Sequence, residues 1–187
     1  MGKKAIWLVV FLAMILPAEV LSSPGYNRDA AIGYADLYCR NYHPNYNCGW
    51  PGDCQNFASQ VLNAGGVPMV GWWRWDHRHW FFVNCSWYAN SWTVNSWFDR
   101  HAAYWTSRYQ NVGWQGKQRA DPVLFKFPWC SDWCHTAIYM GWGMAWEGSK
   151  AGQWCELRSQ HSPSRCRVWW WEDVPSGTYL KVWHVIY

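Results

Sequence analysis

The chain of 187 residues has the length of a single domain that can bury a sizeable hydrophobic core. Its formal charge of +4 includes no cluster of Lys and Arg, so the sequence does not favour a nucleic-acid-binding protein. A mildly basic protein of this kind suits an acidic surface such as a bacterial cell wall.

The first 23 residues have the pattern of a secretory signal peptide. Lys3 and Lys4 precede an apolar run over residues 5–16, and small residues near position 22 form a cleavage site. The run is too short to cross a bilayer, which needs about 20 apolar residues. We therefore predict a signal peptide over 1–23 and one secreted domain over 24–187, without stable membrane insertion. An uncleaved membrane anchor is the alternative.

Tryptophan is unusually abundant, with 20 residues that follow no fixed period along the chain. Many of these rings must belong to the core, where each indole N–H needs a hydrogen-bond partner. Other tryptophans lie too close together in sequence to all face inward. Trp72, Trp73 and Trp133 are candidates for a substrate cleft that stacks on sugars or peptides. The alternative is that such rings pack on one another and on arginines.

Eight cysteines in a secreted chain indicate disulfide bonds. One interpretation is four bridges and no free thiol. If Cys54 is kept free for chemistry, at least one further cysteine is also free or pairs with another molecule. Cys39 with Cys48, and Cys155 with Cys166, are close enough in sequence to close small loops, but spacing does not settle the connectivity.

The most informative stretch is residues 52–60, where a loop turns into a helix with a cysteine at its first position. Asp53 is a favoured N-cap residue, and apolar residues recur at helical spacing until Gly65 and Gly66 end the helix. A thiol in the first turn of a helix lies near unpaired N–H groups and the positive end of the dipole, which lower a cysteine pKa. The Asp53 carboxylate opposes this effect, so a thiolate at Cys54 needs a positive neighbour.

The remaining elements predict an α+β fold, with helices first and an antiparallel sheet after them. Asn27 caps a helix over residues 28–40, and a weaker helical pattern covers 97–109. Residues 67–95 are predicted to be loop with short strands. Strands rich in β-branched and aromatic residues are predicted over 121–127, 135–140, 154–161 and 179–186.

A cysteine at a helix start, a histidine on a later strand and a polar group on the next strand form a recurring nucleophilic arrangement. His135 begins a predicted strand and is the candidate base, and His161 or Gln160 at the end of the next strand is placed to orient it. Successive strand residues face opposite ways, so only one of the two faces His135, and we favour His161. Backbone N–H groups around Cys54 are candidates for stabilising an oxyanion, and Asp53 and Gln160 are further oxyanion or orienting candidates.

These residues resemble a known family. The run G-D-C-Q-N-F-A-S-Q at 52–60, followed by A-G-G-V-P-M at 64–69, is similar to the D-C-T-N-F-V-S-Q and A-G-G-[IV]-P-M block of the putative amidase domain family. H-T-A-I at 135–138 and S-Q-H-S at 159–162 resemble later strands of that family, in the same order. The resemblance implies a papain-like fold of the NlpC/P60 type, related to CHAP domains, in which N-terminal helices pack on an antiparallel sheet. It also implies Cys54 as nucleophile and His135 as base.

The sequence therefore predicts a secreted cysteine hydrolase that cleaves an amide bond in peptidoglycan or a peptide, without a cofactor or metal. Cys130, Cys134 and His135 lie close together, but a zinc site would need a matching second pair. The segment 128–134 departs from the family's Asp/Gly-rich turn, so substrate preference does not carry over. The alternatives are a non-enzymatic, disulfide-stabilised, Trp-rich module that binds a glycan or another surface, and a chain that keeps the fold without catalysis.

Overall fold

The computed structural model describes residues 25–187, and the predicted signal peptide over 1–23 lies outside them. The α-helices of the described part are α1 (Arg28–Tyr38), α2 (Cys54–Ala64), α3 (Asn90–Thr93) and α4 (Asn95–Tyr104). No helix within residues 25–187 is long and apolar enough to span a bilayer. All of these helices precede the main sheet in the chain, as the sequence predicts.

An antiparallel pair of very short strands, β1 (Phe82–Asn84) and β2 (Trp87–Tyr88), lies between α2 and α3. The main sheet consists of β3 (Tyr109–Val112), β4 (Pro122–Lys126), β5 (His135–Met144), β6 (Trp154–Gln160), β7 (Arg165–Trp169) and β8 (Tyr179–Val185). Its strand order is β3-β8-β4-β5-β6-β7, and every pair is antiparallel. The predicted α+β class is confirmed.

The helices cover one face of the main sheet. Ile138, Met140 and Leu157 pack against α1 and α2, and Leu124 packs against α3 and α4. The residues between them in sequence point to the opposite face, where Phe125 packs against the ring of Trp170 and its neighbours. A side chain near the start of β5 can therefore reach the helices only if it lies on the first of these faces.

The helix ends follow the local sequence closely. The Asn27 side chain accepts a hydrogen bond from the Ala30 N–H at 2.9 Å, which confirms the predicted cap of α1. Gly52, with φ of +79°, makes the turn into α2, and Gly66, with φ of +98°, follows its end. The weaker helix predicted over 97–109 is α4, which begins two residues earlier and ends at Tyr104.

Three disulfide bonds connect the described residues: Cys39–Cys166, Cys48–Cys85 and Cys130–Cys134. Neither of the two small loops suggested by spacing is formed. Cys54 and Cys155 are free and buried, so a second free thiol accompanies Cys54, as expected if that residue is kept for chemistry. The bridges are consistent with an extracellular protein.

Candidate active site at the start of α2

Cys54 is held at the first position of α2 and is only 4% exposed. The carbonyl of Asp53 accepts a hydrogen bond from the Phe57 N–H at 2.9 Å, and this bond begins the helix. The left-handed turn at Gly52 brings the chain to this point from the preceding loop. The thiol is thus fixed by regular backbone geometry rather than carried on a loop.

A buried chain of hydrogen bonds connects the surroundings of the thiol to α4 and β5. Cys54 Sγ lies 3.6 Å from Nδ2 of Asn95, the first residue of α4. The same Asn95 nitrogen donates to Thr136 Oγ1 at 2.6 Å, and the Thr136 hydroxyl donates to Gln55 Oε1 at 2.7 Å. Because every member is buried and bonded, the network fixes Cys54 relative to the start of β5.

Burial raises the pKa of the Cys54 thiol above its usual value. Hydrogen bonds from the Asn95 side chain and from the backbone N–H groups of Thr136 and Gln55 act in the opposite direction, and the Asp53 charge adds to the increase. The predicted opposing effect of the Asp53 charge is present, but desolvation is the larger cause, so the helix start alone does not lower the pKa of this thiol. At neutral pH the group is a thiol, and it needs a base to become a nucleophile.

His135 begins β5 and is 6% exposed. It pairs across the sheet with Phe125, and its ring packs against Phe125 and Phe127 with centroid distances of 5.4 and 5.9 Å. Burial is the main cause that lowers the pKa of His135, to about 4. The nearby Gln160 side chain acts in the opposite direction, and the Arg158 charge adds to the lowering. The ring is consequently a neutral imidazole at pH 7, as a general base must be.

Cys54 lies close to Thr136, the residue after His135, but the side chains of Cys54 and His135 are not hydrogen-bonded to each other. Thr136 is connected to the thiol through Asn95, whose Nδ2 contacts both Cys54 Sγ and Thr136 Oγ1. His135 itself points to the other face of the sheet, and its Nε2 is buried without a hydrogen-bond partner. Within residues 25–187 no hydrogen bond connects Cys54 Sγ to the imidazole. The His135 ring would therefore have to change its orientation before it could accept the proton of Cys54.

His161, the residue predicted to orient His135, has other hydrogen-bond partners. Its Nδ1 lies 2.7 Å from Asp53 Oδ2, and its Nε2 lies 2.8 Å from the Tyr38 carbonyl oxygen. Both ring nitrogens are occupied, so this preference is corrected. The alternation of side chains along β6 directs Gln160 to the face of His135, and Gln160 is the residue that interacts with it.

Asp53 acts neither as a side-chain cap of α2 nor as a partner of His135. Its Oδ1 accepts a hydrogen bond from Asn56 Nδ2 at 2.6 Å, and its Oδ2 is the partner of His161. The Asp53 N–H donates to Ser162 Oγ at 2.9 Å. These contacts fasten the start of α2 to the end of β6, and they explain why a helix-capping residue type does not cap here.

Two spaces lie near the candidate catalytic residues. A cavity of about 80 Å³ lies beside the candidate base and is lined in part by Phe125, Phe127, His135, Arg158, Gln160 and Ser162. An open groove of about 270 Å³ is lined by Trp50, Pro51, Gly52, Asn56, Tyr88 and Thr93. The groove borders residues on both sides of Cys54 in the chain. The sequence gives no direct signal for either aromatic residue: Trp50 lies in the loop before the cysteine, and Tyr88 belongs to β2.

The predicted cleft tryptophans line neither of these spaces. Trp72 and Trp73 are exposed and contact each other edge-on, with centroids 5.6 Å apart. Trp133 is partly buried in the cluster under α3 and α4, with Lys181 Nζ 5.1 Å from its ring centroid. Trp133 therefore fits the alternative in which these rings pack within the protein. A role of Trp72 and Trp73 in a substrate cleft stays a prediction.

A model of the family described as "putative amidase domain" matches residues 25–121, slightly more than half of the chain. The chain belongs to the putative amidase domain family. The matched segment includes Cys54 and the elements up to the start of β4, whereas His135 and Gln160 lie beyond it. The family name indicates a hydrolase-like function.

Two proteins of Bacillus subtilis (strain 168) are similar to this member of the family. Uncharacterized protein YhbB is 26% identical over 160 residues, which cover 82% of this chain and 47% of YhbB. Uncharacterized protein YjcM is 37% identical over 59 residues, which cover 32% of this chain and 14% of YjcM. The chain thus spans less than half the length of these relatives. No solved structure matches the chain.

Proposed function

We propose that this protein is a secreted cysteine hydrolase with a papain-like fold that cleaves an amide bond, with Cys54 as nucleophile and His135 as base. The observation that carries the proposal is the state of Cys54. It is a free thiol at the first position of α2 in a chain where six other cysteines form bridges. The Asn95 side-chain nitrogen lies 3.6 Å from its sulfur.

The reaction begins with both groups neutral. As Cys54 Sγ attacks the amide carbonyl, His135 takes the thiol proton, and N–H groups at the start of α2 stabilise the oxyanion. The C–N bond then breaks, His135 gives its proton to the leaving amine, and an acyl thioester remains. Water, deprotonated by His135, attacks the thioester and releases the carboxylic acid and the thiol. This scheme requires the imidazole to approach Sγ when substrate occupies the groove.

Peptidoglycan or another peptide is the proposed substrate class. The groove beside Cys54 presents the rings of Trp50 and Tyr88, whose centroids lie 4.7 Å apart, together with the polar side chains of Asn56 and Thr93. Aromatic rings combined with amide and hydroxyl groups can bind sugars and peptide backbone alike. The positive formal charge and the disulfide bonds are compatible with action at an acidic cell wall.

Hydrolysis of purified peptidoglycan and of its peptide fragments, followed by mass spectrometry, tests the proposal. Cys54→Ala and His135→Ala should each reduce turnover by about a thousandfold or more, because general base and nucleophile act as one unit. Cys155→Ala is the matched control, since Cys155 is the other free and buried cysteine. Full turnover by either of the first two variants would refute the mechanism.

A second candidate function is a surface- or glycan-binding module. It is supported by the β5–β6 hairpin, where Trp142, Met144 and Trp154 are exposed on one side and Met144 lies directly opposite Trp154. This function predicts binding to insoluble cell wall that survives Cys54→Ala and is lost in Trp142→Ala/Trp154→Ala. Binding that instead depends on Cys54 would contradict it.

A further inference from the structure

A buried arginine lies two residues before Gln160 on β6, on the same face of the sheet. Arg158 is 3% exposed, and its hydrogen bonds go to neutral oxygens: the carbonyls of Trp169, Trp170 and Glu172, and the Gln160 side chain. Burial lowers the pKa of Arg158 to about 10, so it is still a cation at neutral pH. The carboxylates of Asp173 and Glu172 favour the charged form, but neither accepts a hydrogen bond from the guanidinium, so the cost of burying this cation is only partly offset.

The contacts of Gln160 fix which way its amide points. Arg158 Nε, which can only donate, lies 2.8 Å from Gln160 Oε1. Gln160 Nε2 donates to the Pro163 carbonyl, which can only accept, at 3.2 Å. Turning the amide over would set its NH₂ group against the guanidinium and its oxygen against the carbonyl. The oxygen has a second lone pair with which it can accept a hydrogen bond from His135, and the Arg158 and Pro163 contacts fix the amide in the orientation that makes this oxygen available.

We propose that Arg158 is a positioning residue that fixes the Gln160 amide, so that its oxygen faces His135 and holds the ring in one neutral tautomer. A ring nitrogen facing an acceptor carries the hydrogen, and the other nitrogen keeps the lone pair that a base needs. His135 Nε2 is buried without a hydrogen-bond partner and Gln160 lines the same cavity, so we assign the ring hydrogen to Nε2 and its acceptor to the Gln160 oxygen. The inference rests on the proposed role of His135 as base.

The charges around His135 act in the same direction. Arg158 disfavours the protonated ring, in addition to the larger effect of burial, while the Gln160 oxygen alone favours it. Phe125 of β4 and Phe127, which follows the end of that strand, pack against the ring and carry no charge. Asp173 lines the same cavity, and its carboxylate is paired with Arg165 Nη2 at 2.9 Å. A neutral ring with one defined tautomer is the expected result.

The test measures the tautomer of His135 by nitrogen NMR at pH 7 and needs no substrate. In the wild type we expect one tautomer in excess of about ten to one, which a single hydrogen bond can support. Arg158→Met removes the donor that fixes the amide, and the ratio should fall to near one. Arg119→Met is the matched control, because that arginine side chain is half exposed and should leave the ratio unchanged.

A second pair of variants separates positioning from packing. A carboxylate offers an oxygen to His135 in either orientation, so Gln160→Glu should remove the need for Arg158. Adding Arg158→Met to Gln160→Glu is then expected to leave the tautomer ratio unchanged. A folded Arg158→Met protein that keeps the wild-type ratio would overturn the proposal.

If Arg158→Met does not fold, the orientation of the Gln160 amide can be measured in the wild-type protein instead. The NH₂ hydrogens of Gln160 should show nuclear Overhauser contacts to Pro163 and none to His135, and strong contacts to the His135 ring would overturn the inference. The outcome is also separable from the proposed function. A protein with a fixed tautomer that hydrolyses no amide would refute the hydrolase and leave the positioning role intact, whereas an active hydrolase with mixed tautomers would do the reverse.

Discussion

His161 and His135 lie at the same end of the main sheet, on opposite faces, and their surroundings differ sharply. His161 has a partner on each ring nitrogen, one of them the Asp53 carboxylate, and its ring stacks on Phe57 with centroids 4.2 Å apart. His135 is also buried, yet its Nε2 has no partner and its pKa is lowered to about 4. A fully bonded histidine contributes to the fold, whereas an incompletely bonded one beside a cavity marks a reactive site.

The largest expected effect in this comparison is the loss of folding stability when His161 is replaced. His161→Ala leaves the buried Asp53 carboxylate without its ring partner, and we expect the free energy of unfolding to fall by about 3–5 kcal/mol. Urea denaturation at pH 7 measures the change. The double variant Asp53→Asn/His161→Ala should recover part of the loss, since the uncompensated charge is gone. A loss below about 1 kcal/mol in the single variant would show that the pair is not structural.

His135→Gln should give the opposite pattern. We expect amide hydrolysis to fall by about a thousandfold, the usual scale for a general base, while the free energy of unfolding at pH 7 changes by less than about 1 kcal/mol. Turnover and urea denaturation measured on the same preparation provide both values. If the substitution unfolds the protein while activity per folded molecule is kept, the roles of the two histidines are reversed.

The pH dependence of stability sharpens the comparison further. Burial lowers the pKa of His135 to about 4 and that of His101 to about 3, so between pH 4 and 6.5 the unfolded chain binds more protons than the folded one. Stability therefore rises with pH across this window, by up to about 2.7 kcal/mol per pH unit for two such groups. His135→Gln should remove about half of that slope. An unchanged slope would mean that His135 is not buried in the neutral form.

The smallest expected effect concerns where substrate lies. Trp50→Ala removes a ring from the groove beside Cys54 and should raise KM about tenfold, with kcat nearly unchanged. Trp72→Ala removes an exposed ring that lines neither space and serves as the control. A larger increase in KM for Trp72→Ala than for Trp50→Ala would indicate that substrate binds at the predicted cleft around Trp72 instead of in the groove.

Local signals in the sequence predicted the elements that hold the site. The start of α2 could be predicted from Gly52, and its end from Gly65 and Gly66. Both signals are local, because each depends only on the backbone conformation of a few adjacent residues. The strands that carry His135 and Gln160 were predicted for the same reason. The strands β3 and β7 were missed, since each is short and lies at an edge of the sheet, where one neighbour provides all the pairing.

Long-range contacts could not be predicted from the sequence. Alternation showed that only one of residues 160 and 161 faces His135, but which one depends on how β6 is turned against α2. The raised pKa of Cys54 also depends on burial, which no local pattern reports. The disulfide pairs were equally out of reach, because the longest connects residues 127 positions apart.

That longest bridge, Cys39–Cys166, has a consequence for how the protein is made. Cys39 emerges from the ribosome far ahead of its partner, so it waits as an open thiol while Cys48, Cys54 and Cys85 appear. Any of these can capture it by oxidation, and capture by Cys54 would block the proposed nucleophile. Native protein should therefore require a compartment or redox buffer that reshuffles disulfides, and production in a reducing cytosol should give chains without the link between the end of α1 and β7.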